Sequence, residues 1–279
     1  MNTIEAILLR RSVRNYNGKL LSDEIIEKLE EAIRHAESPF GGKVTIRIAR
    51  FGNGEEYRPS TYGVIKGATD YFLRGIGEDE VSALSAGFRF EQVVLEAWQL
   101  GLGTCWIAAT FKGSQFDRGQ KWPEGESLKI ISPVGYPAEK KSFLEKMTRS
   151  FLGSQNRKPF GELFFTDNFK KPLPEDNTFA ESLKMLRLAP SSTNSQPWRC
   201  LVKDDRVLFY YKPKSPASVL DCGIGMCHFN ESEKFNGYKG EFFKETEVPE
   251  APDNWKYLYS YKRNNYYKSA DRNRSRPRR

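Results

Sequence analysis

Two short polar stretches hold most of the side chains that could do chemistry in this sequence. The first, LAPSSTNSQPW at residues 188–198, places hydroxyl and amide side chains between an apolar periodic segment and a strand-like one. The second, LLRRSVRNY at residues 8–16, contains three arginines and a serine. Taken alone, the first is explained by turn chemistry and the second by a solvated basic patch. Each becomes a candidate site only if another segment completes it.

The residue types that bind metals or react covalently are sparse. The four cysteines form no CxxC pair, and His35 and His228 have no neighbouring Cys or His that would complete a zinc site. We therefore expect small buried cysteines in a reducing compartment. His228 has no visible acid–base partner, which favours a packed or hydrogen-bonded role. No GxGxxG or Walker loop is present, so side chains would have to bind any phosphate group.

The composition indicates a globular protein. The 279 residues are 38% hydrophobic and 13% aromatic, which is enough for a sizeable core in one large domain or two smaller ones. The N-terminal apolar run is interrupted by Glu5 and ends at arginines, unlike a signal peptide or a membrane span. We therefore expect a cytoplasmic protein without a membrane partner.

The positive charge is concentrated at the C-terminus. The formal net charge is +8, but residues 262–279 carry eight basic residues and one acid, so the rest of the chain is close to neutral at +1. This composition predicts a disordered basic tail that is simply solvated, with weak attachment to a polyanion such as a nucleic acid left open. The body of the protein does not have the charge of a nucleic-acid-binding domain.

Apolar periodicity predicts helices and strands in a repeated order. The spacing predicts a helix over residues 22–36, a strand over 43–51, a long apolar helix that ends at Gly101, and a buried strand over 128–137. The second half shows the same plan in shortened form. It has a helix over 178–189, strands over 199–204 and 206–212, and an apolar segment from residue 218.

Two glycine pairs suggest an internal duplication. Gly87 and Gly101 are fourteen residues apart within one apolar helix, and Gly223 and Gly237 have the same spacing in the second half. Chance similarity between helices is the alternative. A duplication would make the chain a fused dimer of unequal halves, with a first half at 1–158, a second half at 159–261 and the tail at 262–279.

Five motifs together resemble the FMN-dependent nitroreductase family. They are LLRRSVRNY at 8–16, LGLGTCWI at 100–107, GYP at 135–137, RKPFGELF at 157–164 and APSSTNSQPW at 189–198. Their distribution resembles the branch in which two half-domains are fused, because the arginine motif and the serine-rich motif lie in different halves. The resemblance implies an α+β fold with a mixed or antiparallel sheet flanked by helices, in two pseudo-symmetric halves.

The resemblance also implies one complete FMN site and one empty pseudo-symmetric site. The implied cofactor-binding residues come from both halves and include no catalytic side chain: Arg10, Arg11, Ser12, Arg14, Ala108, Ala109, Arg157, Lys158, Pro190, Ser191, Ser192, Asn194 and Gln196.

The physical chemistry of these residue types suits the cofactor. Paired guanidiniums such as Arg10 and Arg157 would bind the FMN phosphate, and Ser12 would add a neutral donor. Arg14 would face the pyrimidine edge of the ring and stabilise negative charge on the reduced flavin. Ala108 and Ala109 correspond to the segment whose amides reach flavin N5 in the family, although many members have Glu-Gly there.

The function expected from the resemblance is the transfer of two electrons from NAD(P)H to an acceptor such as a nitroaromatic compound or a quinone. Two alternatives remain open. One is a non-catalytic flavin-binding or flavin-less protein, and the other is a scaffold whose functional part is the basic tail.

Overall fold

The computed structural model describes residues 1–52, 58–138, 157–252 and 254–264. The chain forms two α+β units, each with its own sheet and its own long buried helix. This arrangement confirms the α+β fold class with mixed and antiparallel sheets.

The first unit contains a four-stranded antiparallel sheet in the order β1-β2-β4-β3. The predicted helix at 22–36 is confirmed as α2, whose first turn is capped by the side chain of Ser22. The elements of this unit are α1 (Thr3–Leu9), α2 (Asp23–His35), β1 (Val44–Arg50), β2 (Asp70–Ile76), α3 (Glu80–Gln99), β3 (Gly103–Thr104), α4 (Gly113–Phe116) and β4 (Ser127–Gly135).

The second unit contains a six-stranded sheet in the order β6-β5-β7-β8-β10-β9. Among the described strands, the β5–β7 pair is parallel and the others are antiparallel. The elements are α5 (Phe160–Leu163), β5 (Phe164–Thr166), β6 (Asn168–Pro172), α6 (Ala180–Arg187), a 3-10 turn (Ser192–Asn194), β7 (Trp198–Lys203), β8 (Arg206–Tyr211), α7 (Ser218–Phe235), β9 (Gly240–Phe243) and β10 (Lys256–Arg263).

The two units share one order of elements. Apart from the short helix α4 and the 3-10 turn, the chain runs helix, strand, strand, helix, strand, strand from α2 to β4 and again from α6 to β10. The strand order β1-β2-β4-β3 in the first sheet matches β7-β8-β10-β9 in the second. The second sheet is larger because β5 and β6 add to its edge beside β7.

The long helices α3 and α7 meet at two glycines. A Cβ atom on Gly87 would clash with the backbone of Leu220, and one on Gly223 would clash with the backbone of Leu84. Gly87 and Gly223 are 136 positions apart, and so are Leu84 and Leu220. The contact is therefore reciprocal, because each glycine lies against the leucine that is equivalent to the other helix's partner. Only glycine permits this approach of two helix backbones in a close-packed interior.

The C-terminal ends of α3 and α7 are also equivalent. Gly101 has φ +77° and Gly237 has φ +79°, the left-handed conformation that ends a helix at low cost. The N–H groups that follow close both helices in the same pattern, from Leu102 to the carbonyl of Ala97 and from Tyr238 to the carbonyl of Glu233.

The predicted boundary of the tail is wrong by two residues. Lys262 and Arg263 belong to β10, and Arg263 donates to the buried carboxylate of Glu233 at 2.5 Å. The cause is tertiary, because a buried acid on α7 requires a basic partner from the last strand. Asn264 follows β10, and the remaining residues of the predicted tail, 265–279, lie outside the described residues. Within the described ranges, no helix is long and apolar enough to cross a membrane.

We expect Gly87→Ala and Gly223→Ala each to lower the free energy of unfolding, because a methyl group at either position pushes the two helices apart. Overpacking of this kind costs about 1–3 kcal/mol. Urea unfolding measures the effect.

Gly225→Ala on the same helix is the matched control, since its Cβ would meet only side-chain atoms at 3.3–3.4 Å. Equal losses in all three variants would contradict the backbone contact at Gly87 and Gly223.

Candidate functional site

A cleft of about 240 Å³ lies between the two units. Its lining from the first unit consists of Ser12, Arg14, Trp106, Ile107, Ala108 and Ile130. Its lining from the second unit consists of Pro190, Ser191, Ser192, Thr193, Ala217, Leu220, Asp221 and Ile224. The structure thus brings together six of the predicted site residues, three from each half: Ser12, Arg14, Ala108, Pro190, Ser191 and Ser192.

The segment after α1 is extended and runs beside β3. The N–H group of Val13 donates to the carbonyl of Thr104 at 2.8 Å, and Ser12 pairs with Thr104 in a parallel bridge. Successive side chains of an extended segment point to opposite sides. Val13 is therefore buried while Ser12 and Arg14 are exposed and line the cleft.

The serine-rich loop is held in an unusual backbone conformation. Thr193, Asn194 and Gln196 have φ values of 51°, 55° and 47°, which non-glycine residues seldom adopt. The loop is closed by its own side chains, since the N–H group of Gln196 donates to Ser191 Oγ at 3.0 Å. The turn chemistry expected from the sequence is present, and it presents Ser191 and Ser192 to the cleft.

Arg157 and Lys158 pack against the far side of this loop. Arg157 donates to Asn194 Oδ1 at 2.9 Å and to the carbonyl of Leu188 at 2.7 Å. The N–H group of Lys158 donates to Gln196 Oε1 at 2.9 Å. These four predicted residues are therefore brought together, and Arg187 of α6 donates to the carbonyl of Lys158 at 2.7 Å. Neither they nor Arg10, Arg11 and Ala109 are among the residues that line the cleft.

Three guanidiniums converge next to the loop. Burial, together with repulsion from Arg10 and Arg187, lowers the pKa of Arg157 to about 10. The side chain of Arg10 is 5% exposed, and its Nη2 atom has no hydrogen-bond acceptor in the described structure. A buried donor without an acceptor is costly, and one anion placed here would relieve both the repulsion and the missing hydrogen bond.

A buried carboxylate on α3 connects the two units. Glu91 lies 3.5 Å from Arg10 Nε, and it accepts hydrogen bonds from Trp106 Nε1 and from His228 Nε2, both at 2.9 Å. Burial raises the pKa of Glu91, but Arg10, His228 and Trp106 together lower it below its usual value. The hydrogen-bonded role predicted for His228 is thus present, with an acidic partner that the sequence did not reveal.

Arg74 supports the Trp106 wall of the cleft from behind. Its guanidinium is fully buried and lies 3.6 Å from the ring centre of Phe90 and 4.4 Å from that of Trp106. Burial lowers the pKa of Arg74 well below its usual value. The cation–π contacts hold the indole in place between Arg74 and the cleft.

Asp221 is a buried carboxyl group in the cleft wall. Its two oxygens accept from the N–H group of Ser192 at 3.1 and 3.0 Å. Burial raises its pKa to about 7, against the opposing effect of the Ser192 N–H group. Sequence analysis missed Asp221, Glu91 and Trp106 as site residues. A single acid inside the apolar, glycine-containing start of α7 is the one signal that could have indicated Asp221.

The equivalent place on the other side of the α3–α7 contact is filled by aromatic rings. Phe40 contacts Phe88, Phe242 and Tyr259, with ring centres 5.4, 5.2 and 4.7 Å apart. Phe242 corresponds to Trp106 and Phe88 to Ile224 at the same separation of 136 positions. The space that is open on one side of the molecule is therefore packed on the other.

No group of three His, Cys, Asp or Glu side chains that could hold a metal occurs among the described residues.

One protein-family model matches most of this chain. The model of the family described as "Putative TM nitroreductase" matches residues 2–232. The crystal structure of a putative nitroreductase from Thermotoga maritima is similar over 94% of this chain and 93% of that chain, with 20% identity and a TM-score of 0.59.

Nitroreductases crystallised with bound FMN are also similar over half of the chain. The protein from Bacteroides fragilis is 19% identical over 50% of this chain and 90% of that chain, with a TM-score of 0.40. The protein from Desulfitobacterium hafniense is 19% identical over 50% and 92%, with a TM-score of 0.42. The search of curated proteins found no match.

We expect Glu91→Gln to destabilise the protein strongly, because it removes the charge that compensates buried Arg10 without leaving a cavity. Breaking a buried ion pair costs about 3–5 kcal/mol. Urea unfolding measures this loss. Glu24→Gln, which breaks the exposed pair with Lys28, is the control and should change little. A similar small effect in both variants would contradict the role of Glu91.

We expect the stability of the protein to depend on pH through Asp221. Because its folded pKa is about 7, above the ordinary value of 3.8, the folded state holds the proton more tightly than the unfolded state. This contribution is largest at low pH and is lost as pH rises from about 4 to 7. Asp221→Asn should therefore gain melting temperature relative to the unsubstituted protein across that range.

The control is Asp79→Asn, because hydrogen bonds from Ser82 lower the pKa of Asp79 and reverse the sign. Melting curves of the three proteins from pH 4 to 8 test this pH dependence. Parallel pH profiles for the unsubstituted protein and Asp221→Asn would rule out the raised pKa.

Proposed function

The chain belongs to the family described as "Putative TM nitroreductase", and on that basis we propose that it is an FMN-dependent oxidoreductase of nitroreductase type. In this proposal it passes two electrons from NADH or NADPH to a nitroaromatic compound, a quinone or a similar acceptor. The observation that carries the proposal is the cleft in which Ser12 and Arg14 meet Ser191 and Ser192 from the other half.

The arginine cluster fits the FMN phosphate. Arg10, Arg157 and Arg187 place excess positive charge in a partly buried region, and within the described part of the chain Glu91 is the one acid paired with Arg10. A phosphate dianion would accept from the orphaned Nη2 of Arg10 and neutralise the repulsion that lowers the pKa of Arg157. These side chains would bind the phosphate, a role that a glycine-rich loop has in other nucleotide-binding proteins.

The open cleft fits the ring of the cofactor. FMN, when bound, supplies the hydride chemistry, and the protein orients the ring and sets its affinity for electrons. Arg14 would provide a permanent cation at the ring edge, which favours the reduced and more negative form. The exposed Ala108 offers backbone groups at the same wall, and the apolar side chains Leu220 and Ile224 would exclude water from one face.

We propose further that the chain is a fused dimer with one active site. The reciprocal contact of Gly87 with Leu220 and of Gly223 with Leu84 is what a two-fold interface produces. The aromatic rings around Phe40 occupy the position equivalent to the cleft, so a second flavin has no room. This argument supports the boundary near residue 158 and a stoichiometry of one FMN per chain.

The test is an equilibrium titration of the apoprotein with FMN and, separately, with riboflavin, which lacks the phosphate. We expect one FMN per chain. Arg157→Met should weaken FMN about tenfold or more, since a hydrogen bond to a charged group contributes roughly 1.5–3 kcal/mol, while riboflavin, which lacks the phosphate, should be weakened much less.

Arg47→Met is the matched control, because Arg47 is an arginine that stacks on Trp122 outside the cleft. No FMN binding, two equivalent sites, or equal weakening of both flavins by Arg157→Met would refute the proposed site. Anaerobic mixing with NADH and NADPH then separates the enzyme from a non-catalytic flavin protein, in which neither donor bleaches the bound flavin.

A further inference from the structure

The open cleft contains one acid. Among the residues that line it, only Arg14 and Asp221 carry ionisable side chains. Asp221 is 3% exposed and lies one helical turn into α7, with both carboxyl oxygens within hydrogen-bond distance of the Ser192 N–H group. An acid in this position has a cost, because burial opposes its charged form.

The counterpart of Asp221 in the first half shows that holding the loop does not require an acid. The equivalent residue on α3 is Ser85, 136 positions earlier. Its hydroxyl lies 2.9 Å from Ser38 Oγ and donates to the carbonyl of Gly41, so it anchors the loop between α2 and β1. That loop occupies the same place in the first half as the serine-rich loop in the second. A serine is therefore sufficient for anchoring.

Whether the helix carries Ser85 or Asp221 at these equivalent positions follows whether the neighbouring space is filled or open. Where aromatic rings fill the space, the helix carries a serine, and where the space is open, it carries a carboxyl group. The carboxyl group is thus associated with the open cleft, and its cost of burial calls for a function that a hydroxyl at this position cannot perform.

The surroundings of Asp221 keep its proton in place near neutral pH. Burial is the largest effect on its pKa, and the Ser192 N–H group of the serine-rich loop opposes it. From the first unit, Arg14 is the charged side chain that lines the same cleft, and on α7 the neighbouring Cys222 is a buried thiol with a raised pKa. A group that titrates near the working pH is suited to proton transfer.

We propose that Asp221 is the catalytic proton donor to the electron acceptor in this cleft. The inference rests on the proposed function, in which the reduced flavin supplies a hydride to the acceptor. A quinone that takes up a hydride needs one further proton to become a hydroquinone. The O–H bond of Asp221 breaks, its proton goes to the acceptor oxygen, and the electron pair stays on the carboxylate. A solvent proton restores the acid after the product leaves.

The test separates the two half-reactions in Asp221→Ser, which copies the residue found at position 85. FMN bound to the protein is reduced with dithionite, so that the result does not depend on the nicotinamide donor. Oxidation by menadione is then followed by stopped flow from pH 5 to 9. Asp79→Ser at the N-cap of α3 is the matched control, because serine also caps helices and Asp79 does not line the cleft.

We expect the unsubstituted protein and Asp79→Ser to oxidise rapidly at low pH and more slowly as pH rises through about 7. Asp221→Ser should be about 100-fold slower at pH 5 and should lose this component of the pH dependence. Any pH dependence shared by all three proteins belongs to the flavin. Asp221→Glu should restore part of the rate and its pH dependence.

A second measurement needs no turnover. The infrared difference between pH 6 and pH 8 should contain the loss of a protonated carboxyl band in the unsubstituted protein, and this band should be missing in Asp221→Ser. An Asp221→Ser variant with the rate and pH profile of the unsubstituted protein would overturn the proposal.

If Asp221→Ser fails to fold, Asp221→Asn takes its place. A flat pH profile in the unsubstituted protein would also overturn the proposal, without any variant. Failure of the unsubstituted protein to bind FMN would refute the proposed function itself, whereas normal FMN binding with a wrong pH profile would refute only the role of Asp221.

Discussion

The close approach of α3 and α7 is the constraint on which the rest of the molecule depends. Gly87 and Gly223 let the two helix backbones touch, and no larger residue could stand at either position without separating them. Through it the long helices of the two units pack directly against each other. It also brings Glu91 of one helix to His228 of the other, 2.9 Å apart. Leu220, whose backbone lies against Gly87, also lines the cleft.

Charge is distributed unevenly around this contact. The buried Glu91 is compensated by Arg10, His228 and Trp106, whereas the arginines near the serine-rich loop repel one another. Because the charges of these arginines are not fully compensated, an anionic ligand that binds there would stabilise the folded protein. On the opposite side the rings around Phe40 fill the equivalent space. The two halves therefore keep the same backbone plan but differ in the side chains at these two equivalent places.

Much of the fold could be predicted from local patterns. The amphipathic helix at α2 and the long helix that ends at Gly101 were predicted correctly, because periodicity and capping act within a few residues. The glycine spacing of fourteen residues indicated the repeat, since a helix end and a close contact each demand glycine. The start of the basic tail was placed two residues too early, because Lys262 and Arg263 belong to β10. A run of basic residues looks like a solvated tail until the buried Glu233, 30 residues away, is seen to bind Arg263.

The sequence by itself determined which residue types were available to bind an anion and which chemistry was absent, because those properties belong to side chains and motifs. The tertiary structure alone decided which of them meet. Ser12 and Ser192 share a cleft although 180 positions separate them, while Asn194 and Gln196 contact Arg157 and Lys158 beside the loop. Asp221 acquired its raised pKa, and His228 its acidic partner, only from the packing of the two halves. Burial and proximity of distant residues set these properties, and neither is encoded in any local stretch of the chain.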